Sequence, residues 1–168
     1  MADSQLEAQI PSLRRYARAL CGDRAQADDL VQDCLERALS RLPSWRRGGD
    51  VRPWLFAILR HLWIDEMRRR GARPGLVGLD DHADTLAVAT PPAQGQGLAL
   101  RDLAGALAML APEQRETLLL VGLEGLSYAQ VAEVTGVPVG TVMSRLKRGR
   151  DRLSQVLHDG GPALRRVK

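Results

Sequence analysis

The chain has 168 residues, of which 45% are hydrophobic and 26% are charged. This balance excludes global disorder and fits one medium domain or two small ones. Aromatic residues make up only 4%, so Leu, Val and Ala must fill the core, which favours packed helices over a β-sandwich. We find no disulfide framework, metal-ligand spacing, signal peptide or membrane-spanning run. We therefore expect a cytoplasmic protein with no membrane insertion, no metal and no cofactor.

The net charge of +4 is modest, but the charges are clustered. Between residues 139 and 153, five cations stand against one acid. Between residues 23 and 36 the balance reverses, and five acids stand against one arginine. This clustering predicts a phosphate-binding surface near the end of the chain and a surface for a basic partner near its start.

The N-terminal part has hydrophobic residues at helical spacing. The first helix is predicted to end at Gly22. A second runs from about Ala25 to Leu42, and a third from about Pro53 to Arg70, with its proline in the first turn. A loop that contains Trp45 and paired glycines separates them. This part of the chain is therefore predicted to be a bundle of three helices.

Helical periodicity is lost between Ala72 and Gly97, where prolines and glycines are scattered. This composition predicts a flexible linker and a domain boundary. Periodicity resumes at Leu98, and Pro112 opens a further helix. The predicted fold class is all-α, with two small helical domains joined by the linker.

The segment from Leu126 to Arg150 predicts two short helices around a turn at Gly136. Ser127 precedes Gln130 by three residues, which is the spacing of a capping box. The final helix, from about Val139 to Leu157, carries the clustered cations. A helix-turn-helix motif lays a helix of this kind in the DNA major groove. The pattern therefore predicts sequence-directed DNA binding.

One face of this final helix combines hydroxyl and guanidinium groups at helical spacing. A hydroxyl can bond a base edge or a phosphate, and arginine can bond guanine through two hydrogen bonds. Cations beside that face are expected to contact phosphates and to make binding sensitive to salt. The residues on the face are Thr141, Ser144, Arg145 and Arg148, and the flanking cations are Lys147, Arg150 and Arg152.

Several motifs of the chain resemble those of the extracytoplasmic-function (ECF) sigma factors. Residues Ser127–Ala132 and Pro138–Leu146 resemble region 4 of that family. Residues Ala27–Asp33 resemble the region 2 helix that docks on core polymerase. Residues Arg52–Arg60, continuing through Asp65–Arg70, resemble the helix that reads the −10 element. The motifs occur in the family's order and together cover most of the chain outside the linker.

The resemblance implies an alternative sigma factor, which is not an enzyme and directs promoter recognition and initiation of transcription. Its implied partners are core RNA polymerase, through the β′ clamp and the β flap, and promoter DNA. The implied domains are region 2 at residues 1–71, the linker at 72–97 and region 4 at 98–168. Region 4 would read the −35 element through the helix-turn-helix.

The resemblance also implies sites within region 2. An acidic helix face would complement the basic polymerase clamp, and its residues are Asp28, Asp29, Gln32, Asp33 and Glu36. In the family, a pocket near the loop before the third helix holds a base taken out of the stack. Trp45 can stack on such a base, although a core position for it stays open, and Trp54 and Trp63 are expected to be in the core or partly buried. The implied −10 contacts are Trp45, Arg46, Arg47, Arg60, His61, Arg68 and Arg69.

Two residues depart from common family patterns. His61 stands where many members have Asn, and Met143 stands where some carry a base-reading Arg. The −10 and −35 preferences therefore stay open. Residues Ile10–Leu20 resemble the opening of the general-stress-response branch, whose members are held by a small anti-sigma protein. The resemblance thus implies an anti-sigma partner.

Three other functions were weighed against this one. A sigma-like mimic would bind an anti-sigma and not promoters, but such mimics usually carry a receiver domain, for which we expect no room, and the basic helix argues against it. An enzyme would need a catalytic constellation, whereas His61, His82 and His158 lie in separate segments. A helix-turn-helix repressor would leave the acidic helix unexplained. The placement of the two domains stays open, because in an isolated or inhibited form they could pack together and hide both DNA surfaces.

Overall fold

The structure, a computed structural model, describes residues 2–45, 49–71 and 96–159. Within these ranges it contains α-helices and no strand, which confirms the all-α prediction. The N-terminal half comprises α1 (Ala2–Cys21), α2 (Arg24–Arg41), a short 3-10 turn (Leu42–Ser44) and α3 (Val51–Arg69). The C-terminal half comprises α4 (Gln96–Ala108), α5 (Pro112–Leu118), a π-helical turn (Leu119–Leu123), α6 (Tyr128–Thr135) and α7 (Val139–His158).

Helices α2 and α3 each begin directly after an aspartate that caps them. The carboxylate of Asp23 accepts a hydrogen bond from the backbone N–H of Gln26 at 3.0 Å, and that of Asp50 accepts one from Arg52 at 2.9 Å. Each cap satisfies a backbone donor that has no partner inside the helix. The helices therefore start one and two residues earlier than their periodicity predicts.

The core of the N-terminal half lies where α1, α2 and α3 meet. Tyr16 and Phe56 are fully buried and pack edge to face, with ring centroids 5.2 Å apart. Cys21 and Cys34 are free and buried, and burial raises the pKa of each thiol to about 12. Both thiols are therefore protonated and unreactive at neutral pH.

The helix-turn-helix folds as its sequence predicts. The Ser127 hydroxyl accepts from the backbone N–H of Gln130, and the Gln130 side chain accepts from the backbone N–H of Ser127. Gly136 ends α6 at a φ of 71°, a left-handed conformation that favours glycine. Gly149 lets α7 approach α5, because a Cβ added there would lie 3.0 Å from Leu118. These features fix the direction in which α7 leaves the domain.

The two halves pack against each other along α3 and α6, and α1 reaches the π-helical turn. Their buried side chains form one continuous hydrophobic cluster that runs from Leu6 to Val142. Of the predicted linker, residues 72–95 lie outside the described residues, and the next helix begins at Gln96, two residues before the predicted start. Of the open alternatives for domain placement, the structure shows the packed one.

Candidate nucleic-acid and polymerase interfaces

Helix α7 is held on the C-terminal half by a buried stripe and exposes cations on the opposite side. Val142 and Leu146 are buried, whereas Leu153 is only half-buried. Four predicted phosphate-binding or base-reading cations are exposed, and they are Lys147, Arg148, Arg150 and Arg152. Cations on a rigid, exposed helix can contact a DNA backbone without rearrangement of the fold.

The predicted base-reading face of α7 is only partly exposed. Thr141 and Ser144 are half-buried, and the Ser144 hydroxyl donates to the backbone carbonyl of Thr141 at 3.1 Å. Arg145 is also half-buried, and its charge acts on Glu116 of α5. Of the predicted face, Arg148 alone is fully exposed. In this arrangement Arg145 lies toward α5, at the edge of the DNA-facing surface.

A second exposed stripe on α7 was not predicted from the sequence. Gly140, Met143, Lys147 and Arg150 follow each other at helical spacing, and all four are exposed. The Met143 side chain is 53% exposed. Lys147 also forms a 3.1 Å ion pair with Asp151, but both groups are so exposed that this pair contributes little stability. Sequence reasoning noted Met143 only as a departure from a family pattern.

The acidic face of α2 is exposed along its whole length. Its predicted residues are Asp28, Asp29, Gln32, Asp33 and Glu36, and all five are exposed. Gln32 donates to Glu36 at 3.1 Å, and Asp28 lies 4.0 Å from Arg18. A cleft of about 220 Å³ between α2 and α3 has Asp29 at its edge and the buried Trp63 on its floor. Arg69 and Arg70 of α3 also line this cleft, so the negative charge of the surface comes from the exposed acids of α2, which suit a basic partner.

The three tryptophans of the N-terminal half occupy two kinds of environment. Trp45 is half-buried and stacks on half-buried Trp54, with ring centroids 6.1 Å apart and planes at 29°. Trp63 is 5% exposed and therefore a core residue, as predicted. Arg46 and Arg47 lie outside the described residues. Trp45 thus has an aromatic partner within the fold and also a partly open surface.

The cations of α3 divide between solvent and the C-terminal half. His61, Arg68 and Arg69 are exposed, and Nδ1 of His61 lies 2.6 Å from the backbone carbonyl of Ala57. Arg60 instead donates from Nε to the Glu116 carboxylate at 2.5 Å. In this arrangement the Nε–H group of Arg60 is bonded to a protein carboxylate, and the Arg60 side chain is only 19% exposed.

Four polar contacts, which we call the interhalf contacts, join the two halves around their apolar interface. Arg60 pairs with Glu116, and Arg15 donates twice to Glu124, at 2.9 and 2.8 Å. Arg52 donates to the backbone carbonyl of Glu124 at 2.6 Å, and Gln130 donates to Asp50 at 2.6 Å. Sequence reasoning missed Glu116 and Glu124, and only Glu124, which follows the apolar run from Leu118 to Leu123, carried a signal. The interhalf contacts join α1 and the N-terminal end and middle of α3 to α5, Glu124 and α6.

Burial of charge at this interface has a measurable cost. Burial raises the pKa of Glu116, and the charges of Arg60 and Arg145 only partly oppose that rise. Burial also lowers the pKa of Arg115, which is 6% exposed. Within the described residues, neither Nε of Arg115 nor the hydroxyl of Tyr16 has a hydrogen-bond partner. Unpaired buried donors lower stability, so the packed arrangement is not an optimised core.

No group of three or more His, Cys, Asp or Glu side chains in the described part of the chain is placed to hold a metal ion. None of the helices described combines the length and the apolar character needed to cross a bilayer.

Two family models match the chain, one in each half. Residues 6–60 match the Sigma2 domain of PhyR, and residues 100–153 match region 4 of sigma-70. The first match covers the acidic helix α2 and most of α3. The second covers the helix-turn-helix, including all seven predicted −35 residues.

Solved structures share the same arrangement of helices. RpoE of Bartonella quintana, crystallised with the anti-sigma factor NepR, is 37% identical, with a TM-score of 0.76 over 93% of this chain and 96% of that one. CnrH, solved with the cytosolic domain of CnrY, is 25% identical, with a TM-score of 0.71 over 94% of this chain and 87% of that one.

Curated relatives extend the similarity over most of the sequence. The sigma factor EcfG of Rhodopseudomonas palustris (strain TIE-1) is 41% identical over 155 residues, which are 92% of this chain and 83% of that protein. SigC of Mycobacterium tuberculosis is 39% identical over 148 residues, which are 80% of this chain and 72% of that protein. The chain therefore belongs to the ECF RNA polymerase sigma factors, which direct promoter recognition and the initiation of transcription.

Proposed function

We propose that this chain is an alternative sigma factor that acts in the cytoplasm, docks on core RNA polymerase through α2 and seats α7 on the −35 element. The exposed cationic surface of α7, on a capped helix-turn-helix, is the observation that carries this proposal. The role needs no covalent chemistry from the chain itself. It needs two surfaces of opposite charge, one for the polymerase and one for DNA.

The polymerase-binding surface is the acidic face of α2, from Asp28 to Glu36. Its side chains are exposed, so a basic clamp helix can approach them without unfolding of the N-terminal half. The cleft beside it adds apolar contact. Charge complementarity gives the encounter its speed and register, while apolar contact adds affinity. The β flap is the partner that we assign to the C-terminal half.

The −35 surface is α7, with Lys147, Arg148, Arg150 and Arg152 on phosphates or base edges. Ser144 is close enough to solvent to join them after a rotamer change. Thr141 and Arg145 lie at the edge of this surface, so their contribution depends on how deeply the helix enters the groove.

The −10 surface comprises Trp45, the loop with Arg46 and Arg47, and the α3 residues Arg60, His61, Arg68 and Arg69. Three of these α3 side chains are exposed, whereas Arg60 is paired with Glu116. Opening of that pair would free all of the Arg60 donors for DNA, so Arg60 is the α3 cation whose promoter contact depends most on how the two halves pack.

An anti-sigma protein is the partner that we assign to an inactive form. Two similar sigma factors have been solved with anti-sigma factors, one with NepR and one with CnrY. The similarity to EcfG and the match to the Sigma2 domain of PhyR support the general-stress-response branch. A small NepR-like protein is therefore the regulator to test first.

A sigma-like mimic is the second candidate, because the N-terminal match is to the Sigma2 domain of PhyR. The mimic would bind an anti-sigma but no promoter. The 41% identity to EcfG and the free cations of α7 favour the sigma factor. A gel shift with core polymerase and promoter DNA separates the two, since a mimic gives no promoter complex.

Run-off transcription tests the proposed function directly. The purified chain is added to core polymerase on a genomic library, and start sites are mapped with and without it. New, reproducible start sites that depend on the chain would support the proposal. Transcription that is unchanged by the chain would overturn it.

Charge reversal tests the docking surface. The double variant Asp29→Lys with Asp33→Lys should bind core polymerase at least about tenfold more weakly, because repulsion replaces attraction at the clamp. The control Glu7→Lys with Glu133→Lys makes the same change in net charge at exposed acids on α1 and α6. Equal affinities for the two double variants would remove the assignment of α2 to the polymerase.

A further inference from the structure

An open groove of about 530 Å³ lies between the start of α6 and the exposed stripe of α7. Tyr128 lines it from α6, and Gly140, Met143, Lys147 and Arg150 line it from α7. The groove therefore brings together an aromatic ring, a thioether and two cations, and the carboxylate of Asp151, which pairs with Lys147 at 3.1 Å, also lines it.

The apolar side chains around this groove are unusually exposed. Met143 is 53% exposed, Val139 is 41% exposed and Tyr128 is 37% exposed, although all three lie within the compact helix-turn-helix. Large apolar side chains grouped at the surface commonly mark a binding site. Nothing lies within 4 Å of a Cβ added to Gly140, so a ligand can approach the α7 backbone closely there.

Charge decides which ligand fits. Lys147 and Arg150 follow Met143 by four and seven residues, which places them on the same side of α7. Arg148 is exposed on the same helix. An apolar spot within a cationic surface suits a polyanion with an apolar group on its edge. Duplex DNA has that chemistry in the major groove, where the C5 methyl group of thymine projects between the phosphate strands.

We propose that Met143 reads a thymine C5 methyl group in the −35 element, with the groove beside Tyr128 receiving it. This inference rests on the proposed function and names part of its sequence preference. The thioether has no donor for guanine, so it cannot replace the two hydrogen bonds of an arginine. It is flexible and polarizable, and it contacts a methyl group well. Lys147 and Arg150 bind the flanking phosphates and thereby determine how deeply α7 enters the major groove.

Removal of individual thymine methyl groups from the DNA tests this proposal. A promoter is first identified by run-off transcription with the chain and core polymerase. Each −35 thymine, on either strand, is then replaced singly by deoxyuracil, which removes only the methyl group. Binding of the holoenzyme should weaken about fourfold at one position, the change in affinity expected for one buried methyl-sized group. Met143→Ala should weaken binding to unmodified DNA and abolish the difference between thymine and uracil at that position.

Two control variants complete the experiment. Met143→Leu, which keeps an apolar side chain, should retain discrimination between thymine and uracil. Lys147→Ala should weaken binding to every template equally. Uniform tolerance of uracil by a holoenzyme that still binds and initiates would overturn this proposal and leave the proposed function intact. Absence of any promoter complex would overturn both. Discrimination that survives in Met143→Ala would also overturn the proposal, because another residue would then read the methyl group.

Discussion

Arg60 and Glu116 lie 2.5 Å apart and are joined across the two halves of the molecule, although 56 residues separate them in sequence. Their side chains are only 19% and 13% exposed. Arg60 belongs to the proposed −10 surface, and Glu116 belongs to the helix on which α7 rests. The availability of Arg60 on the proposed −10 surface therefore depends on how the C-terminal half packs against α3.

The two partners of this pair should not contribute equally to stability. Burial raises the pKa of Glu116 despite the pairing, which means that the charged carboxylate is less favourable in the folded state than in the unfolded state. Glu116→Gln should therefore change the free energy of unfolding by less than about 1 kcal/mol, because loss of the ion pair is offset by loss of the desolvation penalty of the buried carboxylate. Arg60→Gln leaves the carboxylate buried and unpaired and should cost about 3 kcal/mol. Urea unfolding at pH 7 measures both, and equal losses would contradict the asymmetry.

The pH dependence of Arg60→Gln follows from the same argument. A carboxyl whose pKa is raised on folding binds more protons in the folded state, so stability falls as pH rises from its ordinary value of 4.5 to the raised value. Loss of Arg60 removes a positive charge that lowers the pKa of Glu116, so the pH range over which stability falls becomes wider. The stability deficit of Arg60→Gln should therefore shrink as the pH is lowered toward 5, whereas Glu116→Gln should lose this dependence. Urea unfolding of both variants and the wild type, measured from pH 7 down toward 5, tests this expected pH dependence.

The sequence predicts the local features of this molecule well. The capping box from Ser127 to Gln130, the turn at Gly136 and the exposed acids of α2 all follow from short-range patterns that physical chemistry specifies within one or two helical turns. The buried stripes follow from periodicity in the same way. These features define the ends of the helices and the buried and exposed faces of α2 and α7 without reference to tertiary contacts.

Contacts between the two halves could not be predicted, because they depend on how the halves meet. Arg60 and Arg145 both look like solvent-facing cations on amphipathic helices, yet each is near Glu116 in the packed molecule. Arg115 has a helical position that suggests exposure, yet it is buried. Patterns in a single sequence carry no information about such long-range partners, which is why the partial burial of Arg60 and Arg145 could not be predicted.

Gly136 should be the glycine on which the helix-turn-helix depends most. Its φ of 71° disfavours any residue with a Cβ, so Gly136→Ala should cost about 1–2 kcal/mol of unfolding free energy. Gly140 offers a matched control, because it lies in the first turn of α7 with nothing within 4 Å of an added Cβ. Gly140→Ala should be neutral or stabilise the protein by up to about 1 kcal/mol. Thermal unfolding of both variants tests this ranking, and a larger loss for Gly140→Ala would reverse it.

Arg148 should contribute one phosphate contact to promoter binding if it lies against the backbone. In that case Arg148→Gln weakens binding at all promoters and reduces the slope of log affinity against log salt by about 0.9. Arg14→Gln removes the same charge from an exposed position on α1 and should leave that slope unchanged. Affinity of the holoenzyme for promoter DNA is measured from low to high salt. Equal slopes for Arg148→Gln and the wild type, combined with altered base preference, would instead assign Arg148 to a base edge.

Trp45 should act in strand opening and not in duplex binding. Its ring stacks on Trp54 but keeps a partly open surface, and stacking on a base contributes about 1–3 kcal/mol. Trp45→Ala should therefore reduce open complexes about five- to hundredfold, as measured by permanganate reactivity of unpaired thymines, with little effect on the −35 footprint. Trp45→Phe keeps an aromatic face and should recover most of the opening. Open complexes at the wild-type level in Trp45→Ala would show that Trp45 only supports the fold beside Trp54.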